Sequence, residues 1–314
     1  MSSYQTATWS KRMLILSIFQ LVCLSALEGY IAHMVFQGNL QLTNEDLRRH
    51  SRALKIYHVI FIIAQVFQAL FAINAFKTSN TVSLVAVMCL NFATVGYSFI
   101  QERQFSELFE VESSGFTDFT TVYNICVVFS MVFLLVSMFL SWKMHKEMGW
   151  RVYKNLGADM DLRYMYRWHH VFMMLLRMDI FFYVAFALQF ILLVLNEQHS
   201  TDGDLSRQGS VEISINASIG ILSAISLFLL GYLGTKKESR NMLTAFIVGS
   251  IGIVGHFTWK LNQILDEQQS SRFVGVRNSL TFSVSMCIML GLVSAFAGGY
   301  VRHHFGKGLK QFVQ

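Results

Sequence analysis

Eight runs of about 20 or more mostly apolar residues constrain this chain more than any other feature. They fall at about 13–36, 56–76, 81–101, 120–142, 171–195, 212–234, 242–265 and 278–301. A helix of about 20 such residues crosses a bilayer core about 30 Å thick. No water reaches the backbone there, so each run must satisfy its own peptide groups as a helix. The expected fold class is all-α: a polytopic transmembrane helix bundle of about eight spans, read as one domain over 1–314. Seven spans is the alternative, with the first run re-entrant, because Glu28 and His33 interrupt it.

Composition agrees with lipid as the solvent. Only 14% of the 314 residues are charged, against about 25% in soluble domains. The net charge of +6 sits in short segments between the apolar runs, and no nucleic-acid motif accompanies it, so no nucleic-acid partner is expected. Cys23, Cys89, Cys126 and Cys287 lie inside apolar runs without metal-ligand spacing, which reads as buried thiols. There is no proline, so a break in any span must come from glycine. The Lys11-Arg12 pair and the run behind it resemble a signal peptide, but the run is too long and lacks a small-residue cleavage site. It is read as a retained first span.

Charge sets an expected orientation. The N-terminus, Lys77, the segment 143–170, the turn "TKKESRN" and the C-terminal tail together hold 15 Lys and Arg and four acids. The opposite side holds 9 basic and 13 acidic residues, including the loop "ERQFSELFEVESSGFTDF". Positive charge gathers on the cytosolic side of membrane proteins, so both termini are expected there. Arg48, Arg49, Arg52 and Lys55 dissent. The one glycosylation sequon, Asn216-Ala217-Ser218, lies too close to the bilayer for use.

Polar residues inside spans are the candidates for function. Arg177 and Asp179 lie two apart in the fifth run, about 200° around a helix, so each needs its own partner. Arginine at that depth can snorkel to the headgroups. Aspartate cannot, and it is expected to face Asn91 or Gln68. Glu28, with His256 or Lys260, forms the second candidate group, as an interhelical bond or a proton relay. The candidate intramembrane polar site is thus Glu28, Arg177, Asp179, His256 and Lys260. Gly249, Gly252 and Gly255, and Gly291, Ala295 and Gly299, suggest close helix packing. No phosphate loop, metalloprotease motif or nucleophile elbow occurs, so no catalytic residue, metal or cofactor is expected.

The connector 143–170 has the character of an amphipathic surface segment. Met144, Met148 and Val152 stand four apart beside Lys143, Lys146, Trp150, Arg151 and Lys154, and Arg163 and Arg167 follow on one face. One or two short helices on anionic cytosolic headgroups are expected, with a cytosolic protein partner as the alternative.

The block "GWRVYKNLGADMDLRYMYRWHHVFMMLLRMDIFFYVAFALQF" resembles a family of uncharacterised fungal Golgi-apparatus membrane proteins. The matching positions are Gly149-Trp150, Tyr153-Lys154, Gly157-Ala158-Asp159, Met165-Tyr166-Arg167, Arg177-x-Asp179 and Gln189-Phe190. "ALEGY" around Glu28, the pair of runs over 56–101 and "FGKGLK" resemble it too. Trp168-His169 and Gln311 depart from the pattern, where the family more often has Tyr-Gln and proline. The resemblance implies a multi-pass protein of the Golgi or connected endomembranes, and the family has no established activity to transfer. A non-enzymatic structural or trafficking role is the leading expectation. A small-solute or ion transporter using the polar site is the rival, and a seven-helix receptor-like protein is a weaker one. Oligomeric state is not legible.

Overall fold

With no proline to stop them, the apolar runs continue into helices longer than the hydrocarbon they cross. The computed structural model describes residues 8–39, 45–78, 81–109, 117–156, 160–197, 205–266 and 277–305. They form α1 (Thr8–Asn39), α2 (Glu45–Thr78), α3 (Thr81–Phe109), α4 (Thr117–Leu156), α5 (Met160–Glu197), α6 (Leu205–Lys236), α7 (Arg240–Leu265) and α8 (Arg277–His303). Among the described residues, these eight helices are each long and apolar enough to cross a membrane. The first run is one unbroken helix of 32 residues despite Glu28 and His33. The connector 143–170 does not form separate short helices over its described part. Residues 143–156 prolong α4 and 160–170 open α5. Gly149 alone is too weak a helix breaker to end α4.

The chain divides into two compact units, Met1–Asn155 and Leu156–Gln314. In the first, α1 buries Ser10, Met13, Ser17, Gln20, Leu24, Glu28 and Ile31, spaced three or four apart. In α4 the buried line is Tyr123, Cys126, Ser130, Phe133, Ser137, Leu140 and Met144, at strict 3-4 spacing. Such seams keep one face of each helix toward its neighbours over several turns. Four of the seven positions in α1 are polar, whereas its exposed side carries Ile15, Ile18, Phe19 and Val22. The polarity is inverted relative to a soluble bundle, as expected where the solvent is hydrocarbon and helices adhere by packing and hydrogen bonds.

The second unit pairs α5 with α6 and α8, and α7 with α6 and α8. Phe172 meets Phe246 edge to face at 5.2 Å, and Phe257 packs against Tyr183 and Phe186 at 5.2 and 5.0 Å. Small residues admit these rings. A Cβ on Gly298 would stand 3.2 Å from both Phe172 and Phe246, and one on Gly291 would stand 2.8 Å from Val254. The close-packing face of α8 thus runs through Gly291, Ser294 and Gly298. Gly299, by contrast, has open space beside it. Gly249 abuts Leu227, and Gly252 and Gly255 meet nothing among the described residues.

The turn from α6 to α7 is tight. Ser239 N–H donates to Gly234 O at 2.9 Å and Glu238 N–H to Thr235 O at 3.2 Å, the Schellman pattern of a helix C-terminus. Glu238 takes the left-handed position, φ 50°, that glycine usually fills. Ser239 then caps α7 by accepting from Met242 N–H. This turn fixes Lys236 and Glu238 at one end of the unit.

Candidate functional site

Two groups of buried polar side chains stand out, one in each unit. In the first unit Glu28 is 0% exposed and His58 of α2 is 1% exposed, and the His58 Nδ1 meets a Glu28 carboxylate oxygen. Cys126 Sγ of α4 donates to the other carboxylate oxygen at 3.4 Å. Tyr123 OH lies 3.2 Å from His58 Nε2, and Gln101 Nε2 of α3 lies 3.5 Å from Nδ1. All four helices of the unit therefore contribute to one cluster. A carboxyl facing an imidazole can be an ion pair or a neutral pair, and neither form leaves a net charge in the bundle.

Further layers follow along the same unit. Gln20 Nε2 of α1 donates to Asn91 Oδ1 of α3 at 2.9 Å, and Gln68 Nε2 of α2 donates to Gln20 Oε1 at 2.8 Å and to Asn91 Oδ1 at 3.1 Å. Asn91 Nδ2 turns back to Val87 O at 3.1 Å. Gln65 bonds Thr94 at 3.2 Å, Ser98 meets Ser130 at 3.2 Å, and Asn74 donates to Ser83 at 2.9 Å. A hydrogen bond across helices in hydrocarbon adds about 0.6 kcal/mol on average, so the layers matter through their number.

At one end of this unit, cations lie over aromatic rings. Arg12 sits 4.6 Å from the Trp9 ring centroid, Lys143 5.0 Å from Trp142 and Lys146 3.9 Å from Trp142. Paired cations and indoles of this kind suit the headgroup level of a bilayer.

In the second unit Asp179 is buried and accepts from Ser294 Oγ of α8 at 2.5 Å. Its Oδ1 has no hydrogen-bond partner among the described residues. Ten residues on, Gln189 Nε2 donates to Ser283 Oγ at 2.8 Å and to Ser279 Oγ at 3.3 Å. The α5–α8 seam is thus tied at two heights by an α5 acid or amide against α8 serines.

Arg177 faces elsewhere, as the 200° offset requires. It lines a cavity of about 470 Å³ at the end of the unit fixed by the α6–α7 turn. Trp168 and His170 of α5, Lys236 and Glu238 of the turn, and Tyr300 of α8 line it too, as does His304 just beyond α8. Trp168 and Tyr300 pack at 4.7 Å, and Tyr300 and His304 at 4.3 Å.

Each expected site residue has its neighbours within its own unit. Within its unit Glu28 pairs with His58 and Cys126. Asp179 takes Ser294 of its own unit, and Asn91 and Gln68 bond Gln20 in theirs. Lys260 is 2% exposed, donates to Gln263 at 2.7 Å and lies 4.5 Å over Trp259. His256 is half-buried with an unpartnered Nε2. Lys146 and Arg167 are exposed. The side chains of Trp150, Arg151, Lys154 and Arg163 lie outside the described residues. Reading the sequence residue by residue missed His58, Gln20 and the cavity. The 3-4 spacing of polar positions in the first two runs was the available signal for the first two.

Comparison with known proteins gives one informative match. The chain is 20% identical over 291 residues to a protein described as a UPF0658 Golgi apparatus membrane protein from Schizosaccharomyces pombe. The match covers 83% of this chain and 78% of that one. It bears out the resemblance carried by the block from Gly149 to Phe190: the chain is a relative of that uncharacterised fungal family. No family model matches, and no solved structure does.

Proposed function

We propose that this chain is a multi-pass protein of the Golgi membrane with a non-enzymatic, structural or trafficking role. Its relative's Golgi description and the eight membrane-length helices support the location. Both termini and the connector 143–170 face the cytosol in this reading, with the basic and aromatic connector against anionic headgroups or a cytosolic partner. The observation that carries the role is the closure of Glu28. The one acid in the first span is wholly buried and already bonded to His58 and Cys126, in a cluster to which all four helices of its unit contribute. A structural residue needs only bonds that hold its helices together, and Glu28 has those.

Glu28→Gln in a fungal cell deprived of the native chain tests this. The amide keeps a polar contact to His58 without a titratable carboxyl. Folded yield, Golgi residence and rescue of the deletion phenotype are expected to fall together or to persist together. Full yield and residence with rescue lost would instead favour the transport reading. Glycosylation tags fused to each terminus test the orientation, and both are expected to stay unmodified.

A further inference from the structure

We propose that the cavity between α5, the α6–α7 turn and the end of α8 binds a phosphorylated polyol, through cations at its wall and aromatic rings beside them. The cavity's volume of about 470 Å³ lies in the range of small-ligand sites and exceeds what a bare phosphate fills. Arg177 supplies a planar fork of donors that matches phosphate oxygens, and its guanidinium has no hydrogen bond or ion pair among the described residues. Lys236 adds a second cation from the turn. Among the described lining residues Glu238 is the one acid beside Arg177 and Lys236, so their charge is net positive before any histidine is protonated.

The histidines add donors at fixed places. His304 Nδ1 donates to Tyr300 O at 2.9 Å, so Nε2 is the ring nitrogen left for a ligand. It accepts from a phosphate hydroxyl when neutral and donates to a phosphate oxygen when protonated. His170 also lines the wall, with an enclosed Nε2 that has no hydrogen-bond partner among the described residues. The packed rings of Trp168 and Tyr300 offer an apolar wall against which the C–H face of a polyol ring can lie.

The same chemistry is presented by a lipid headgroup and by a soluble phosphate ester, and two arms separate them. The full chain is reconstituted in phosphatidylcholine nanodiscs and titrated with inositol 1-phosphate. In parallel, it is reconstituted with and without phosphatidylinositol 4-phosphate, and binding is read by calorimetry and the shift in melting temperature. Binding in the first arm assigns a soluble ester, and binding in the second alone assigns a headgroup. Lys236→Gln and Arg177→Gln each weaken the interaction about tenfold or more, the loss of one charge-assisted hydrogen bond. Lys237→Gln, an exposed neighbour in the same turn that is not part of the wall, changes it by less than about twofold. Lys236 is itself exposed, so its variant folds even where Arg177→Gln does not. Absence of binding in both arms overturns the proposal, as does an equal loss from Lys237→Gln.

Discussion

The imidazole of His58 in α2 closes onto the carboxylate of Glu28 in α1, and neither side chain reaches the surface of its unit. Breaking a buried pair leaves one polar group stranded, which costs about 3–5 kcal/mol, whereas replacing both partners by apolar groups of similar volume is near neutral. His58→Leu and Glu28→Leu singly are therefore expected to lower unfolding stability in micelles by about that much. The double variant is expected to recover part of the loss, because Gln101, Tyr123 and Cys126 still lose their contacts to the pair. A double variant as unstable as the sum of the singles would mean that the pair does not act as a unit.

Asn91 accepts from both Gln20 and Gln68, so it is the hub of its layer. Gln20→Leu removes its bond to Asn91 and the one it accepts from Gln68, and leaves the Gln68–Asn91 bond, for a loss of about 1 kcal/mol. Asn91→Leu also removes two interhelical bonds but leaves Gln20 and Gln68 paired with each other, and should cost no more. Chemical unfolding of the two variants side by side checks the order.

Gly291 admits the stiff β-branched Val254 of α7 and the Tyr183 hydroxyl of α5, at 2.8 and 3.0 Å from where a Cβ would stand. Gly291→Ala should destabilise the second unit by about 1–3 kcal/mol. Gly299→Ala, where a Cβ meets open space, should be neutral or mildly stabilising through higher helix propensity. Melting temperatures of the two variants should move in opposite directions or, at the least, differ clearly.

Glu238 holds the left-handed position of the turn without being glycine. Glu238→Gly relieves that strain and gives back part of the gain through a freer unfolded chain, for a net rise of about 0.5 kcal/mol. A thermal melt of the variant is the check.

Much of the fold was open to reading from the sequence because apolar length is a local signal. Eight runs of the right length gave eight helices, and the family resemblance was carried by one contiguous block. Pairing was less legible, because it depends on which faces meet. Glu28 reads singly as an interruption of its span. Read with Ser10, Ser17 and Gln20 at 3-4 spacing, it marks the inner face of a helix whose outside is apolar. Arg177 and Asp179 were separable from helix geometry alone, but neither Ser294 nor the cavity could be inferred, since both depend on α8 packing 115 residues away. The connector's amphipathic pattern suggests surface helices and does not reveal that α4 and α5 run into it without a break.

The most direct test of the account is rescue by the double variant Glu28→Leu, His58→Leu in cells lacking the native chain. It removes every titratable atom of the buried pair while keeping the space between α1 and α2 filled. A structural role predicts that abundance, Golgi residence and rescue of the deletion phenotype persist together or fall together. Normal abundance and residence with rescue abolished would contradict it, because the pair would then be needed for chemistry that leucine cannot perform.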